Sequence, residues 1–364
     1  MSGSYGKMIK MTIFGESHGP SIGLVIDGLP PGIIINEEAI KQEMMRRAPG
    51  QSALSTERRE RDQFVIQSGV FEGRTTGTPL CALIANSDTR SGDYSYLKDI
   101  MRPGHADLGG KIRAQGFNDY RGGGHFSGRL TAPLVLLGAI ARQVLEERGI
   151  TIGTHIAAIG EVQDGVFDPV TVSETVLTRL RQMSFPVLDL KQAEKMQSVI
   201  LQAKAAGDSV GGVVECAITG MPAGIGEPFF DSLESVLAHA LFSIPAVKGL
   251  EFGAGFALAK MLGSAANDAM YYEGASVKAR TNHNGGIIGG ITNGMPIIFR
   301  TAFKPTPSIS VPQESVNVVT QQSTQLVIQG RHDPCIVPRA LPVVESIAAW
   351  MLLDMLLLSE KRRW

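Results

Sequence analysis

The sequence predicts an α+β fold, sheets packed on central helices, and three observations predict it. Short β-rich runs bounded by Gly and Pro occur in both halves of the 364-residue chain. A few strongly helical segments lie among them, but strands and helices do not alternate strictly, as a doubly wound parallel sheet would require. No convincing linker divides the chain and no fixed repeat is visible, so residues 1–364 read as one large domain.

In chain order, KMIKMTIF and SIGLVIDG read as strands, separated by the turns GESHGP and GLPPG. Glu37 to Arg47 reads as a helix with Asn36 as its N-cap and Pro49-Gly50 as its stop, which puts Arg46 and Arg47 in the last turn. QFVIQSGVFEG and PLCALIANS are further strands, and the polar stretch from Asp88 to Asp119 lacks periodicity and is expected to be an active-site loop. Leu130 to Arg148 carries a strong helical pattern, entered through a glycine-rich loop and left through Gly149, and should be a central buried helix. Strands near GTHIAAIG and SVGGVVECAITG follow, with helices at KQAEKMQSVILQAKAAG and DSLESVLAHALFSI. A glycine-rich HNGGIIGGITNG, a strand at PIIFRTAF, a proline-rich KPTPSISVP and a closing helix after Pro342 complete the pattern. The apolar tract Ile347 to Leu358, interrupted by Asp354, is too short to span a bilayer and should be a buried or interface helix.

Composition narrows the function. With 43% apolar and 19% charged residues the chain is neither disordered nor fibrous. A net charge of -1 supplies no global field for nucleic acid or an anionic membrane, so an anionic ligand must be met locally. Cys81, Cys216 and Cys335 are widely spaced and odd in number, which reads as reduced thiols in the cytoplasm, and export is not expected because MSGSYGKMIKMTIFGE shows no apolar run followed by a small-residue cleavage site. The 42 glycines, about 12% against a typical ~7%, bunch into loops suited to wrapping ligands.

The loop Tyr120 to Pro133 (YRGGGHFSGRLTAP) is shaped for a phosphate: glycines let an anion approach N–H groups at a helix N-terminus. An ordinary flexible turn is the alternative. The Walker spacing at Gly123 to Gly128 fails chemically, with Arg129 in place of Lys and Leu130 in place of Ser/Thr, and the dinucleotide fingerprint fails on its glycine spacing. His18 and His105 each sit in a glycine-containing loop, where they can serve as acids or as locally bonded turn residues. The seven histidines are scattered without zinc-ligand spacing, and no G-x-S-x-G elbow marks a serine nucleophile, so no metal site is expected. Arg46, Arg47, Arg102, Arg121, Arg129 and Arg331 gather where the glycines do, which favours a small, multiply anionic ligand.

GESHG, RRAPG, TTGTP, RPGHAD, RGGGHFSGRLTA, AVKGLEFG, NGGIIGGITNG, KPTPS and GRHDP together resemble the chorismate synthase family, in its order and over essentially the whole chain. The resemblance implies a β-α-β sandwich, a homotetramer, and a trans-1,4-elimination of phosphate from 5-enolpyruvylshikimate 3-phosphate to give chorismate on reduced FMN, without net redox change. It implies that His18 protonates the departing phosphate and His105 the reduced flavin near N1, that the ring proton goes towards flavin N5, and that Ser17, Ser127 and Asp333 relay or position protons. Substrate arginines fall on Arg47, Arg102, Arg129 and Arg331, with Arg46 adjacent. Flavin contacts fall on His125, Phe126, Ser127, Pro245, Ala246, Gly289, Lys304, Pro305, Thr306, Pro307, Ser308 and Arg331. Two departures stand out: Ala53 where many members have Arg, and His125-Phe126 where many have Arg-Ser. Arg58 or Arg59 could restore the first charge, and Phe126 could pack on a ring. The compact chain shows no added domain for reducing flavin, so a separate reductase is expected, with NADPH at most an indirect reductant. A flavin reductase and a noncatalytic phosphoester-binding module are the competing functions.

Overall fold

The computed structural model describes residues 3–50, 52, 54–56, 60–87, 97–328 and 332–362. Two antiparallel five-stranded sheets enclose a helical layer. The first sheet runs, in spatial order, Ser4–Tyr5, Lys10–Gly15, Ser21–Asp27, Leu80–Ala85 and Phe64–Ser68; the second runs Val247–Phe252, Ile297–Phe303, Gly212–Thr219, Thr151–Ile159 and Val162–Gln163. The helices are α1 (Glu37–Arg47), α2 (Asp107–Arg113), α3 (Thr131–Glu147), α4 (Glu174–Gln182), α5 (Leu190–Ala205), α6 (Leu233–Leu241), the single turn α7 (Gly263–Ala266) and α8 (Val337–Arg362). Helices α1, α3, α6 and α8 form the middle layer, α4 covers the far face of the second sheet, and α5 packs Ala193, Met196 and Ile200 into the main core. The expected β-α-β sandwich is the observed fold.

Burial explains the layer. Nearly every residue of α3 from Thr131 to Leu145 is buried, as is α8 from Ala340 to Leu356, so both helices are apolar on all sides rather than amphipathic. They approach closely where Gly138 faces Ser346, since a Cβ on Gly138 would lie 2.1 Å from that of Ser346. Three devices satisfy polar groups of these helices. Asn36 caps α1 by accepting from the Ala39 N–H, as its sequence position predicts. Glu345 of α8, fully buried, accepts from Arg46, Arg142 and Thr154. Asp354, also buried, accepts the backbone N–H groups of Lys7, Met8 and Ile9, so the interruption in the apolar tract ties the last helix to the first sheet.

Three expectations are corrected. The closing helix starts at Val337, not after Pro342; Pro342 forfeits one hydrogen bond near the helix start, and packing in the core outweighs that loss. Arg121–Glu147 and Val337–Arg362 are long and apolar enough to cross a membrane, so the C-terminal segment is not too short, but 89% of each apolar window is buried inside the fold, which leaves α8 a core helix. The stretch Asp88 to Asp119 is not all loop: residues 88–96 lie outside the described residues, and α2 occupies Asp107–Arg113 despite two glycines.

Candidate active site

Local folding gathers the glycine loops. The triglycine turn before α3 runs through positive φ at Gly122, Gly123 and Gly124, a path closed to most side chains. It lies against the Gly15–Gly19 turn, where the Ser17 N–H donates to the Gly124 carbonyl at 3.1 Å and the His125 Nδ1–H donates to the Gly15 carbonyl at 3.0 Å. Asn86 binds the same turn through the carbonyls of Glu16 and Gly19 and accepts from Arg129 Nε. Gly122 abuts His18, and Gly123 abuts His105, so the two histidines named in the sequence flank one loop.

Beside this loop opens a cavity of about 830 Å³, bounded by the end of α1, the Arg102–His105 turn, the start of α3, residues 242–248, residues 303–308 and the start of α8. Among the described residues its walls carry six cationic side chains (Arg47, Arg102, Arg129, Lys248, Lys304 and Arg339) against two carboxylates, Glu60 and Asp333. In a chain of net charge -1 this is a local concentration of positive charge.

Most predicted residues meet here: Arg47, Arg102, His105, His125, Phe126, Ser127, Arg129, Pro245, Ala246, Lys304, Thr306, Pro307, Ser308 and Asp333 all line the cavity. Others do not. Ser17 and His18 are buried behind Gly122 and do not line it. Arg46 points from the other side of α1 to Glu43 and Glu345, because consecutive helical residues differ by about 100° in direction. Gly289 sits at the tip of the Ile287–Thr292 hairpin, where Gly289 and Gly290 both need positive φ. Pro305 is exposed beside the wall. Arg331, Ala53, Arg58 and Arg59 lie outside the described residues.

Electrostatics orders the cationic wall. Arg102 grips Asp107 side-on, Nε to Oδ2 at 2.7 Å and Nη2 to Oδ1 at 2.8 Å. His105 Nδ1 lies 2.7 Å from Asp107 Oδ1 and 3.2 Å from Arg102 Nη2; a carboxylate can only accept, so Nδ1 carries the proton and the longer approach is not a bond. Burial alone would raise the Asp107 carboxyl, but the hydrogen bonds from Arg102 and His105 hold it far below the usual range. Burial, with Lys248 nearby, lowers the pKa of Lys304, whose ammonium donates to the Gly104 carbonyl. Burial likewise lowers that of Arg129, although Asp62 and Glu60 oppose the shift. Sequence reading passed over Asp107, Glu60, Asp62, Lys248 and Arg339. Asp107 carried the one usable signal, two residues after a singled-out histidine.

Two polar atoms await partners: Thr306 Oγ1 and His332 Nε2 are buried, belong to wall residues, and have no hydrogen-bond partner among the described residues. Ala246, at the same wall, adopts φ 74, unusual for a residue with a Cβ.

The chorismate synthase family model matches residues 9–357. The chain belongs to the chorismate synthase family. Curated chorismate synthases include that of Dehalococcoides mccartyi, 46% identical over 98% of this chain and 97% of the relative. Those of Thermococcus gammatolerans (46% identical, 99% and 98%) and Lachnoclostridium phytofermentans (49% identical, 98% and 96%) are similar. A solved crystal structure of chorismate synthase superposes with a TM-score of 0.77 at 28% identity, covering 98% of this chain and 93% of that one. Family membership makes the chain an enzyme, a lyase.

Proposed function

We propose that the chain eliminates phosphate from 5-enolpyruvylshikimate 3-phosphate to give chorismate with reduced FMN, the C–O bond to phosphate breaking and a ring proton leaving as the new C=C forms. The observation that carries this reading is the six-cation wall beside a triglycine loop that His18 and His105 flank. Such a wall suits a phosphate and two carboxylates.

The wall fits a flavin as well. Thr306 Oγ1 has no hydrogen-bond partner among the described residues, Lys304 and Lys248 are cations for a phosphate or an electron-rich ring edge, and Phe126 offers an apolar face beside His125 and Ser127. Pro245, Ala246, Pro307 and Ser308 would complete the flavin's surroundings, with Arg331 assigned by resemblance. When bound, reduced FMN would lend electron density to the allylic system as phosphate departs. The protein's own groups do the rest. Arg47, Arg102 and Arg129 orient the anionic groups. His105, its Nδ1–H fixed by Asp107, exchanges a proton through Nε2 beside Gly123. His18 and Ser17 act from behind Gly122, so this loop must yield for His18 to protonate the leaving phosphate. Ser127 Oγ accepts from the Arg129 backbone N–H at 3.3 Å, and Asp333 accepts from the Arg339 guanidinium.

The same reading makes residues 1–364 one functional unit in a cytoplasmic homotetramer supplied by a separate flavin reductase, with NADPH as the ultimate reductant. Exposed Phe229, Phe230, Phe256 and Tyr272 support assembly of copies, and three free cysteines support a reducing compartment. The test is anaerobic: protein, chemically reduced FMN and the substrate are mixed, and chorismate and phosphate are followed together. Equal, catalytic appearance of both is expected. Stoichiometric oxidation of a pyridine nucleotide would point to a flavin reductase, and binding of both ligands without turnover to a binding module.

A further inference from the structure

We propose that Asp62 is a positioning residue that sets Arg47 and Arg129 side by side as a two-armed anion clamp. Its side chain is fully buried and lies outside the cavity lining, so it touches ligand only through the arginines. One oxygen, Oδ2, accepts from Arg47 Nε at 2.7 Å; the other, Oδ1, accepts from Arg129 Nη1. Two guanidinium groups brought together in a low-dielectric wall repel, and a shared carboxylate offsets that repulsion while fixing both planes.

The rest of the contacts fit this role. Arg47 Nη1 reaches Thr131 Oγ1 at 3.2 Å, and Arg129 Nη2 reaches the Ala85 carbonyl at 3.1 Å, so Asp62 joins two arginines already anchored to α3 and to the first sheet. The Asp62 backbone adopts φ 51, a left-handed conformation that is uncommon for a residue other than glycine. Strain of this kind persists where the surrounding contacts over-determine it, and here it coincides with the cationic wall.

The proposal rests on the anionic-substrate reading above and makes a prediction of distinctive sign. Removing a negative charge beside two arginines should, by Coulomb attraction alone, tighten anion binding. If Asp62 positions the clamp, its loss weakens binding, on the order of 10- to 100-fold.

Wild type, Asp62→Asn and Asp62→Gly are titrated calorimetrically with 5-enolpyruvylshikimate 3-phosphate and, separately, with FMN. Glycine relieves the left-handed strain, so the second variant keeps the test open if the first does not fold. The expected result is weaker substrate binding in the folded variants, little change for FMN, and recovery of substrate affinity in Asp62→Gly on adding formate, which can fill the vacated carboxylate position. A folded variant that binds substrate as tightly as wild type, or more tightly, overturns the proposal. Failure of wild type itself to bind the substrate would instead overturn the functional reading on which it rests.

Discussion

Substituting Gly122 by Ala should disable catalysis while leaving the fold standing. A Cβ at this position would lie 2.1 Å from both Cε1 and Nδ1 of His18 and 3.0 Å from Ser17 Oγ. Ordinary contact begins near 3.4 Å, so the imidazole or the loop must retreat by about 1.3 Å. Holding alanine at φ 57 adds roughly 1–2 kcal/mol, tolerable for a protein of this size. The displacement matters more: a shift of ~1 Å in a positioned catalytic group costs on the order of 100-fold in rate. The assay is anaerobic phosphate release at saturating substrate and reduced FMN, with Gly109→Ala as the control. Gly109 lies on α2 with nothing within 4 Å of an added Cβ. A 100-fold fall in kcat for Gly122→Ala, with its far-UV CD spectrum retained, is expected. A folded Gly122→Ala enzyme within twofold of wild-type kcat would refute the view that this loop and His18 act together.

Glu345→Gln leaves Arg46 and Arg142 facing each other with less compensation; at about 4 kcal/mol for a broken buried pair and roughly 2.1 cal/mol/K per residue of unfolding entropy, Tm should fall by about 5 °C, and calorimetry showing no fall would remove the ion cluster from the core's support. Burial alone would depress the His155 pKa, but its hydrogen bonds to Asp164 and Glu215 raise it. The folded value therefore lies above the unfolded one, and this contact's stabilisation is complete below about pH 6.5 and fades as pH climbs through the folded value. Urea unfolding should accordingly show the wild-type advantage over His155→Gln shrinking as pH rises above about 6.5. Cys216 and Cys335 are buried, burial pushing the Cys335 thiol up to about 12, whereas Cys81 is half-buried. An aromatic disulfide reagent should therefore titrate at most one thiol in the native protein and three after denaturation.

The sequence announced the parts whose signal is local. Asn36 followed by an acidic first turn, the unbroken apolar run of α3 and the glycines before it each depend on a few adjacent residues. The site arginines were legible as a set but not one by one: Arg46 and Arg47 are neighbours in sequence, yet one meets Glu345 and the other the cavity. Helix α2 escaped notice because Gly109 and Gly110 weaken its propensity; a Cβ on Gly110 would come within 2.7 Å of Phe126, so tertiary packing wants the very glycine that hides the helix. Asp62 could not be read at all, since its meaning lies in two arginines from distant segments meeting its two oxygens.

Helix α8 has one more consequence. It follows every strand it supports, yet its Glu345 and Asp354 reach back to Arg46, Arg142 and residues 7–9. During synthesis, both sheets must therefore wait on the ribosome with apolar faces uncovered until this segment emerges. Such a nascent chain invites holding by chaperones, and a messenger truncated before α8 should yield aggregates rather than a smaller working enzyme.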